Sequence, residues 1–175
     1  AGALGEMLAA GTNPFVGSWL GGSTVSALEL TVLRWIAELL GYEPGTGGIL
    51  TSGGSMANLV GLATARTKFG QDVLQRGVLY ISREGHDSVK KAALTLGFSS
   101  RSIRTIGVDE SCRMKIEELT AAVDQDRQQG LLPFFVCANA GTTDTGAIDP
   151  LPEIADFCAI AGLWLHIDAA YGGFA

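Results

Sequence analysis

Short apolar segments alternate with helical segments along most of this chain, and this alternation constrains the fold more than any other feature. Five segments have the length and branched-residue content of buried strands: residues 49–51, 78–82, 102–106, 133–138 and 164–168. The segments between them have helical patterns: residues 55–68, 87–96, 115–126 and 152–161. Strands separated by helices do not pair as hairpins, so the sequence predicts a three-layer α/β/α fold with a mainly parallel sheet and right-handed crossovers.

Two further helices are predicted before this alternation begins. They cover residues 4–10 and 23–40, with a Gly-, Pro- and Ser-rich connection at residues 11–22. Ser26 and Glu29 have the spacing of a capping box, and Gly41 is predicted to end the longer helix. An apolar stripe along that helix indicates that it packs against the sheet or a partner subunit.

Composition and charge narrow the class of ligand. A hydrophobic content of 47% and a charged content of 17% are typical of a globular α/β protein, and no apolar run approaches the roughly 20 residues that span a bilayer. The net charge of −6, without a Lys/Arg stripe, disfavours nucleic acid and anionic membrane partners. Cys112, Cys137 and Cys158 lack CxxC spacing and are interpreted as reduced thiols of a cytoplasmic protein. A small-molecule ligand is therefore expected.

A glycine- and serine-rich loop, TSGGSMAN at residues 51–58, lies between the first predicted strand and the next helix. Amide groups at the start of a helix favour an anion, so a phosphate fits there. Ser55 is placed to donate its hydroxyl to that phosphate, to serve as the helix N-cap, or to do both. The loop has neither the lysine of a Walker A motif nor GxGxxG spacing, which disfavours ATP and NAD.

Two more polar segments follow predicted strands. His86 lies between a strand and a helix, where its ring can stack on an aromatic ligand, transfer protons near neutral pH, or merely cap the helix. Residues 140–146, AGTTDTG, carry hydroxyls that either bind a ligand or satisfy a turn. Asp149, which precedes Pro150, is interpreted as a helix cap.

The last predicted strand, residues 164–168, ends in an acid. Asp168 and His166 share one face of it, with Ile167 on the other. Ligands bind at the carboxyl ends of parallel strands, so Asp168 is expected to face a pocket, with a solvated or helix-capping acid as the alternative. The sequence has two histidines and no HExxH, Cys/His cluster or GxSxG motif, so neither a metal site nor a serine hydrolase is expected.

An anion site, a histidine, a hydroxyl-rich turn and a carboxylate at strand ends of one sheet fit a flat, phosphorylated, basic heterocycle. In this order and spacing, TSGGSMANLVGLATAR, the His86 segment, AGTTDTGAIDPLPEIA and WLHIDAAYGG resemble the group II pyridoxal-phosphate-dependent amino acid decarboxylases, which have the aspartate aminotransferase fold. The resemblance covers residues 23–175. Its most specific parts are the glycine-serine loop and the HIDAAY strand.

The resemblance implies roles for residues around a pyridoxal 5'-phosphate cofactor. Gly54 and Ser55 would hold its phosphate. His86, the candidate catalytic residue, would stack on one face of the pyridine ring, and Ala170 would lie on the other face. Thr143 would lie beside the ring.

The resemblance also implies that Asp168 pairs with the pyridine nitrogen. A carboxylate there favours the protonated nitrogen, and the positive ring withdraws electrons from the substrate Cα. The implied reaction is the decarboxylation of an L-amino acid to CO₂ and an amine. An aromatic amino acid is the expected substrate, with glutamate and 2,4-diaminobutyrate as alternatives.

In that family a Schiff-base lysine follows the HIDAAY strand, and this sequence ends before such a position. Its four lysines, Lys68, Lys90, Lys91 and Lys115, do not match it. The sequence is therefore expected to be a fragment that is inactive by itself. Residues 1–22 would form an N-terminal connecting segment and residues 23–175 part of the cofactor-binding large domain. The full-length protein is expected to be a homodimer.

Two other functions remain compatible with these motifs. One is another enzyme of the same fold, such as an aminotransferase, a cysteine desulfurase or a lyase. The other is a catalytically inactive paralogue that serves as a binding partner. The combination of His86 with HIDAAY favours the decarboxylase.

Overall fold

The computed structural model describes residues 2–174 and divides into two compact units after Leu50. The first unit contains helix α1, Gly2–Thr12, and helix α2, Trp19–Leu39. Helix α2 starts before the predicted position, but Gly22 interrupts it with non-helical backbone (φ −149°, ψ 37°), so the predicted start at residue 23 coincides with its second part.

The predicted capping box of helix α2 is wrong. Ser18 is the N-cap, and its hydroxyl oxygen accepts a hydrogen bond from the amide of Gly21. Ser26 lies inside the helix, and the carboxylate of Glu29 accepts from the amide of Leu50 at 3.2 Å. Gly41 follows the helix with φ of 72°, a left-handed conformation that glycine adopts without strain, so the predicted helix end is confirmed.

Within its described residues, 51–174, the second unit contains nine helices and strands. Its helices are α3 (Gly54–Phe69), α4 (Val73–Arg76), α5 (Ser88–Thr95), α6 (Ile116–Gln128) and α7 (Leu151–Ala161). Its strands are β1 (Gly77–Ser82), β2 (Ile103–Ile106), β3 (Leu132–Asn139) and β4 (Trp164–Asp168), with a 3₁₀ turn at Ser100–Ser102. Four of the five predicted strands are therefore confirmed.

The predicted strand at residues 49–51 is wrong, because this segment has no regular secondary structure. Ile49 and Leu50 are exposed, and the amide of Leu50 donates to a glutamate side chain instead of to a strand ladder. Helix α4 was not predicted, since four residues are too few to show a helical period.

All four strands are parallel, in the order β2-β1-β3-β4. The connection from β1 leads to β2 on one side of the sheet, whereas the connection from β3 leads to β4 on the other side. The switch in direction thus lies between β1 and β3, and ligands bind outside the carboxyl ends of the strands at such points. The predicted α/β fold with a parallel sheet is confirmed.

Each face of the sheet is covered by its own apolar layer. Leu62 of α3 and Val89 of α5 belong to one layer, and Leu119 of α6 and Ile154 of α7 belong to the other. All four side chains are buried. The sheet therefore lies between two helical layers, and helix α3 covers the face toward which Phe135, Cys137 and Trp164 point.

A cluster of polar side chains links helix α6 to the sheet on which it packs. The hydroxyl of Tyr80, which is fully buried on β1, donates to a carboxylate oxygen of Asp126 at 2.8 Å. Arg104 of β2 forms a salt bridge to the other oxygen at 2.6 Å. Burial, followed by the hydrogen bond to Asp126, raises the pKa of Tyr80, so the phenol stays protonated and donates.

The three cysteines are free thiols. Cys112 is half-buried, whereas Cys137 and Cys158 are buried. Burial raises the pKa of Cys158 to about 11 and raises the pKa of Cys137 as well, so neither forms a thiolate readily. Between residues 2 and 174, no helix has both the length and the apolar character that crossing a membrane requires.

Candidate functional site

A cleft of about 320 Å³ lies in the second unit, where strands β1, β3 and β4 end and helix α3 begins. All six of the residues predicted as site residues line it: Gly54, Ser55, His86, Thr143, Asp168 and Ala170. They come from four segments that are far apart in the sequence. The structure thus brings the candidates together at one edge of the sheet, while their individual roles stay predictions.

The start of helix α3 forms one wall of the cleft. Gly53 is its N-cap, with φ of 149°. This backbone conformation would be strained for a residue with a side chain. The interpretation of Ser55 as the N-cap is therefore wrong. The first amide groups of a helix lack partners within it, and they attract an anion together with the helix dipole. The hydroxyl of Ser55 forms no hydrogen bond to another residue in the described part of the chain, so it is available to a ligand.

His86 lies in the loop between β1 and α5 and also lines the cleft. Its Nδ1 accepts a hydrogen bond from the amide of Ser88 at 3.2 Å and lies 2.8 Å from the hydroxyl oxygen of that residue. The ring thus accepts a hydrogen bond from the first residue of helix α5, but Asp87 is the N-cap of that helix, so the interpretation of His86 as its cap is wrong. The ring also lines the cleft, where its contact with a ligand stays a prediction.

Asp168 lines the cleft at the end of β4. One carboxylate oxygen accepts from the side-chain amide of Asn58 at 2.8 Å, and the other accepts from the backbone amide of Ala170 at 3.2 Å. The side chain is half-buried. It is neither a fully solvated acid nor a helix cap, but a carboxylate held in a defined orientation.

His166 lies on the same face of β4 as Asp168, as predicted. Its Nε2 is 2.7 Å from the side-chain oxygen of Asn58, and its ring stacks on Phe135 with centroids 5.6 Å apart. Burial lowers the pKa of His166, and the negative charge of Asp168 acts in the opposite direction. The ring also packs directly against Gly61, where an added Cβ would lie 2.6 Å from the ring carbon Cε1.

The hydroxyl-rich turn after β3 serves two purposes. The hydroxyls of Thr142 and Thr145 lie 2.6 Å apart, and both accept from the amide of Ala147, so they satisfy the turn itself. Thr143 is exposed and lines the cleft, and its hydroxyl has no protein partner among the residues described. Of these threonines, Thr143 is the one available to a ligand.

The interpretation of Asp149 as a helix cap is wrong, since Pro150 is the N-cap of α7. The buried carboxylate accepts from the amides of Met114 and Asn139 at 2.7 Å and from the side chain of Asn139 at 2.8 Å. Asp149 thus fixes the end of β3, where Asn139 lines the cleft.

Six residues of the cleft were not among the predicted site residues: Asn58, Ser88, Asn139, Gly141, Thr142 and Tyr171. A signal was available for Asn58. It lies three residues after Ser55 and four after Gly54 in a predicted helix, so it shares their face. A side-chain amide on the face that packs on the sheet is buried and needs hydrogen-bond partners. In an apolar layer, the polar side chains of a binding site can provide them.

The fold and the cleft define an α/β protein with a candidate small-molecule site at the carboxyl edge of a parallel sheet. Residues 1–175 match the family described as the pyridoxal-dependent decarboxylase conserved domain, and the chain belongs to that family. The resemblance to the pyridoxal-phosphate-dependent decarboxylases is therefore confirmed.

Proteins of known activity show the same relationship. The chain is 40% identical to an aromatic-L-amino-acid decarboxylase of Bacillus atrophaeus, over 98% of this chain and 36% of that protein. It is 38% identical to an L-2,4-diaminobutyrate decarboxylase of Rhizobium meliloti, over 96% of this chain and 34% of that protein. The chain thus spans about a third of the length of these relatives.

The fold of a solved relative is also the same. The crystal structure of the glutamate decarboxylase domain of a diaminobutyrate-pyruvate transaminase and L-2,4-diaminobutyrate decarboxylase from Vibrio parahaemolyticus superposes with a TM-score of 0.91. The two chains are 32% identical, and the match covers 98% of this chain and 40% of that one. This agreement confirms the predicted fold type.

Proposed function

We propose that the cleft binds pyridoxal 5'-phosphate and that this chain supplies part of the active site of an amino acid decarboxylase. The observation that carries the proposal is the convergence of the six predicted site residues, from four segments, on one cleft in a chain of the pyridoxal-dependent decarboxylase family. The cleft volume of about 320 Å³ lies within the range of small-molecule sites.

The unpartnered polar groups of the cleft fit the two ends of this cofactor. In the proposal, the amides at the start of α3, at Gly54 and Ser55, bind the phosphate together with the hydroxyl of Ser55. His86 and Ala170 bind the two faces of the pyridine ring, and Thr143 lies at its edge. Asn58 and the amide of Ala170 leave the Asp168 carboxylate able to accept a further bond.

Asp168 is proposed to accept a hydrogen bond from the protonated pyridine nitrogen. A charge-assisted bond of this kind contributes about 1.5–3 kcal/mol. The cofactor, when bound, supplies the electron sink for the electrons released as CO₂ leaves. Asp168 maintains that capacity by keeping the ring nitrogen positive, while His86 covers the ring and excludes water from one face.

We propose an aromatic L-amino acid as the substrate of the whole protein, supported by the 40% identity to an aromatic-L-amino-acid decarboxylase. The 38% identity to a 2,4-diaminobutyrate decarboxylase makes that diamino acid the second candidate. In this proposal residues 23–175 belong to the cofactor-binding domain and residues 1–22 are a connecting segment.

The whole protein is proposed to be a cytoplasmic homodimer. Three free cysteines support a reducing compartment. The first unit exposes large apolar side chains, among them Trp19, Leu20 and Trp35, and such surface is typical of a protein–protein interface. Sedimentation of the whole protein is expected to give twice the mass of one subunit.

None of the four lysines in the sequence lines the cleft. The 175-residue chain is therefore expected to bind pyridoxal phosphate reversibly and without a covalent bond. Borohydride treatment followed by mass spectrometry tests this expectation. A stoichiometric, cofactor-modified lysine would contradict it.

The role of Asp168 is tested by equilibrium dialysis with pyridoxal phosphate. Replacing Asp168→Asn removes the charge that pairs with the ring nitrogen, so the affinity should fall roughly 10- to 100-fold. Asp124→Asn is the matched control, since Asp124 is an exposed aspartate on helix α6, which covers the other face of the sheet. Equal affinities of the two variants would contradict the proposed contact.

The reaction is tested on the whole protein with aromatic amino acids and 2,4-diaminobutyrate. Release of CO₂ and the corresponding amine is expected. Formation of a keto acid without CO₂ would instead identify an aminotransferase, and absence of any turnover by the cofactor-loaded protein would favour an inactive paralogue.

A further inference from the structure

Asn58 connects the residues of the cleft that are farthest apart in the sequence. It is buried, with 4% of its surface exposed, on the face of helix α3 that covers the sheet. Its side-chain nitrogen lies 2.8 Å from both Asp168 Oδ2 and Ser88 Oγ, and its side-chain oxygen lies 2.7 Å from Nε2 of His166. Both polar atoms of the amide are thus engaged.

The charge of Asp168 determines which way this amide points. A carboxylate only accepts hydrogen bonds, so the nitrogen of Asn58 must face Asp168. The oxygen then faces His166, whose Nε2 must carry a proton to donate. The ring of His166 is held between Phe135 and Gly61, so the amide is oriented from both ends.

The hydroxyl of Ser88 links Asn58 to His86. Because the oxygen of Ser88 accepts from Asn58, its own hydrogen is free to point at Nδ1 of His86, 2.8 Å away. The backbone amide of Ser88 donates to the same Nδ1. Two donors converge on this atom, so Nδ1 carries no proton, and the proton of the neutral ring is on Nε2.

We propose that Asn58 and Ser88 are positioning residues that hold His86 in one tautomer and the Asp168 carboxylate in one orientation. In that state His86 presents an N–H donor to the cleft, so it stabilises an anionic group there and does not act as a general base. The arrangement is a property of the ligand-free protein. Its consequence for catalysis rests on the proposed function.

The test is nitrogen NMR of the protein labelled with ¹⁵N-histidine, without cofactor, near neutral pH. The sequence has two histidines, and His166→Gln identifies which signals belong to His86. The wild-type spectrum should show one His86 tautomer, with an unprotonated Nδ1 and a protonated Nε2. A ring protonated at Nδ1, or an even mixture of tautomers, would overturn the proposal without any variant.

Two variants test the residues that orient the ring. Ser88→Ala removes one of the two donors to Nδ1, so the Nδ1-protonated form should rise roughly fivefold, the equivalent of one ordinary hydrogen bond. Asn58→Asp has nearly the same shape but lacks the amide donors, and its carboxylate would draw the Ser88 hydroxyl away from His86. The same change is expected, and unchanged tautomers in both variants would overturn the proposal.

Ser55→Ala is the control, since Ser55 lines the same cleft but does not contact this network. Its His86 signals should match the wild type. Circular dichroism reports whether each variant is folded. The wild-type nitrogen NMR spectrum tests the proposed His86 tautomer even if a variant does not fold.

Addition of pyridoxal phosphate separates this proposal from the proposed function. If the His86 signals shift while the ligand-free tautomers are mixed, the cofactor site is supported and the positioning role is rejected. If one tautomer is found but saturating pyridoxal phosphate leaves the His86 signals unchanged, the positioning role is supported and the cofactor site is rejected.

Discussion

The contact between Gly61 and His166 gives the sharpest test of the packing beneath the cleft. Gly61 lies in the middle of helix α3, and a Cβ added there would lie 2.6 Å and 2.7 Å from two atoms of the His166 ring. Real Cβ atoms do not approach other heavy atoms this closely. The ring cannot move freely either, since it stacks on Phe135 and contacts Asn58.

Three effects decide the outcome of Gly61→Ala. Forcing a methyl group into a packed site costs about 1–3 kcal/mol. Moving the ring of His166 breaks its hydrogen bond to Asn58, which costs about 0.5–1.5 kcal/mol. Alanine in a helix interior is favoured over glycine by about 1 kcal/mol, which offsets part of this loss. The free energy of unfolding is therefore expected to fall by about 1–3 kcal/mol.

Urea unfolding followed by circular dichroism measures this change. With a slope of about 1–3 kcal/mol per molar urea, the midpoint should move down by roughly 1 M. Gly54→Ala on the same helix is the control, because its Cβ would make an ordinary 3.4 Å contact with Ala170 and should change stability by less than about 0.5 kcal/mol. A midpoint for Gly61→Ala at or above the wild-type value would refute the close approach of helix α3 to β4.

Three further outcomes follow from buried polar groups. Tyr80→Phe removes the hydrogen bond to Asp126, so urea unfolding should show a loss of about 0.5–1.5 kcal/mol. A thiol reagent should modify Cys112 first in the folded protein and all three cysteines only after unfolding, as counted by mass spectrometry. Because burial lowers the pKa of folded His166, the unfolded chain binds its proton first as pH falls through about 6.5, so stability should fall there, and less steeply in His166→Gln.

The elements that sequence patterns predicted well are those whose signal is local. Strand β4 was predicted with its observed bounds, because a five-residue segment rich in branched and aromatic side chains ends in an acid followed by small residues. The predicted strand at residues 49–51 was wrong, because the sequence Ile-Leu-Thr is too short to specify a strand unless a neighbouring strand is available to pair with it.

The capping errors have a related cause. Ser26 and Glu29 satisfy the local capping pattern, yet Ser18 caps the helix, because several serines precede the apolar stripe and the pattern alone does not choose between them. Asp149 before Pro150 looked like a cap for the same reason. Its carboxylate instead satisfies backbone amides from two distant segments, which no local pattern shows.

The hydrogen bonds that hold the site together were beyond prediction, since they are long-range. Asn58 and Asp168 are 110 positions apart, and Asn58 and Ser88 are 30 apart. Each residue type was visible in the sequence, but its partner depended on how α3, α5 and β4 pack. The strand-end rule located the candidate site, whereas the geometry within it required the fold.

One helix sets the distance between the two ends of the proposed ligand. The start of α3, at Gly54, lines the proposed phosphate site, and Asn58 donates to the Asp168 carboxylate four residues later, which is about 6 Å along a helix that rises about 1.5 Å per residue. Both ends of the cleft therefore move together if helix α3 shifts. A substitution that displaces this helix, such as Gly61→Ala, should weaken phosphate binding and disturb Asp168 at once, whereas Ser55→Ala should affect the phosphate end alone.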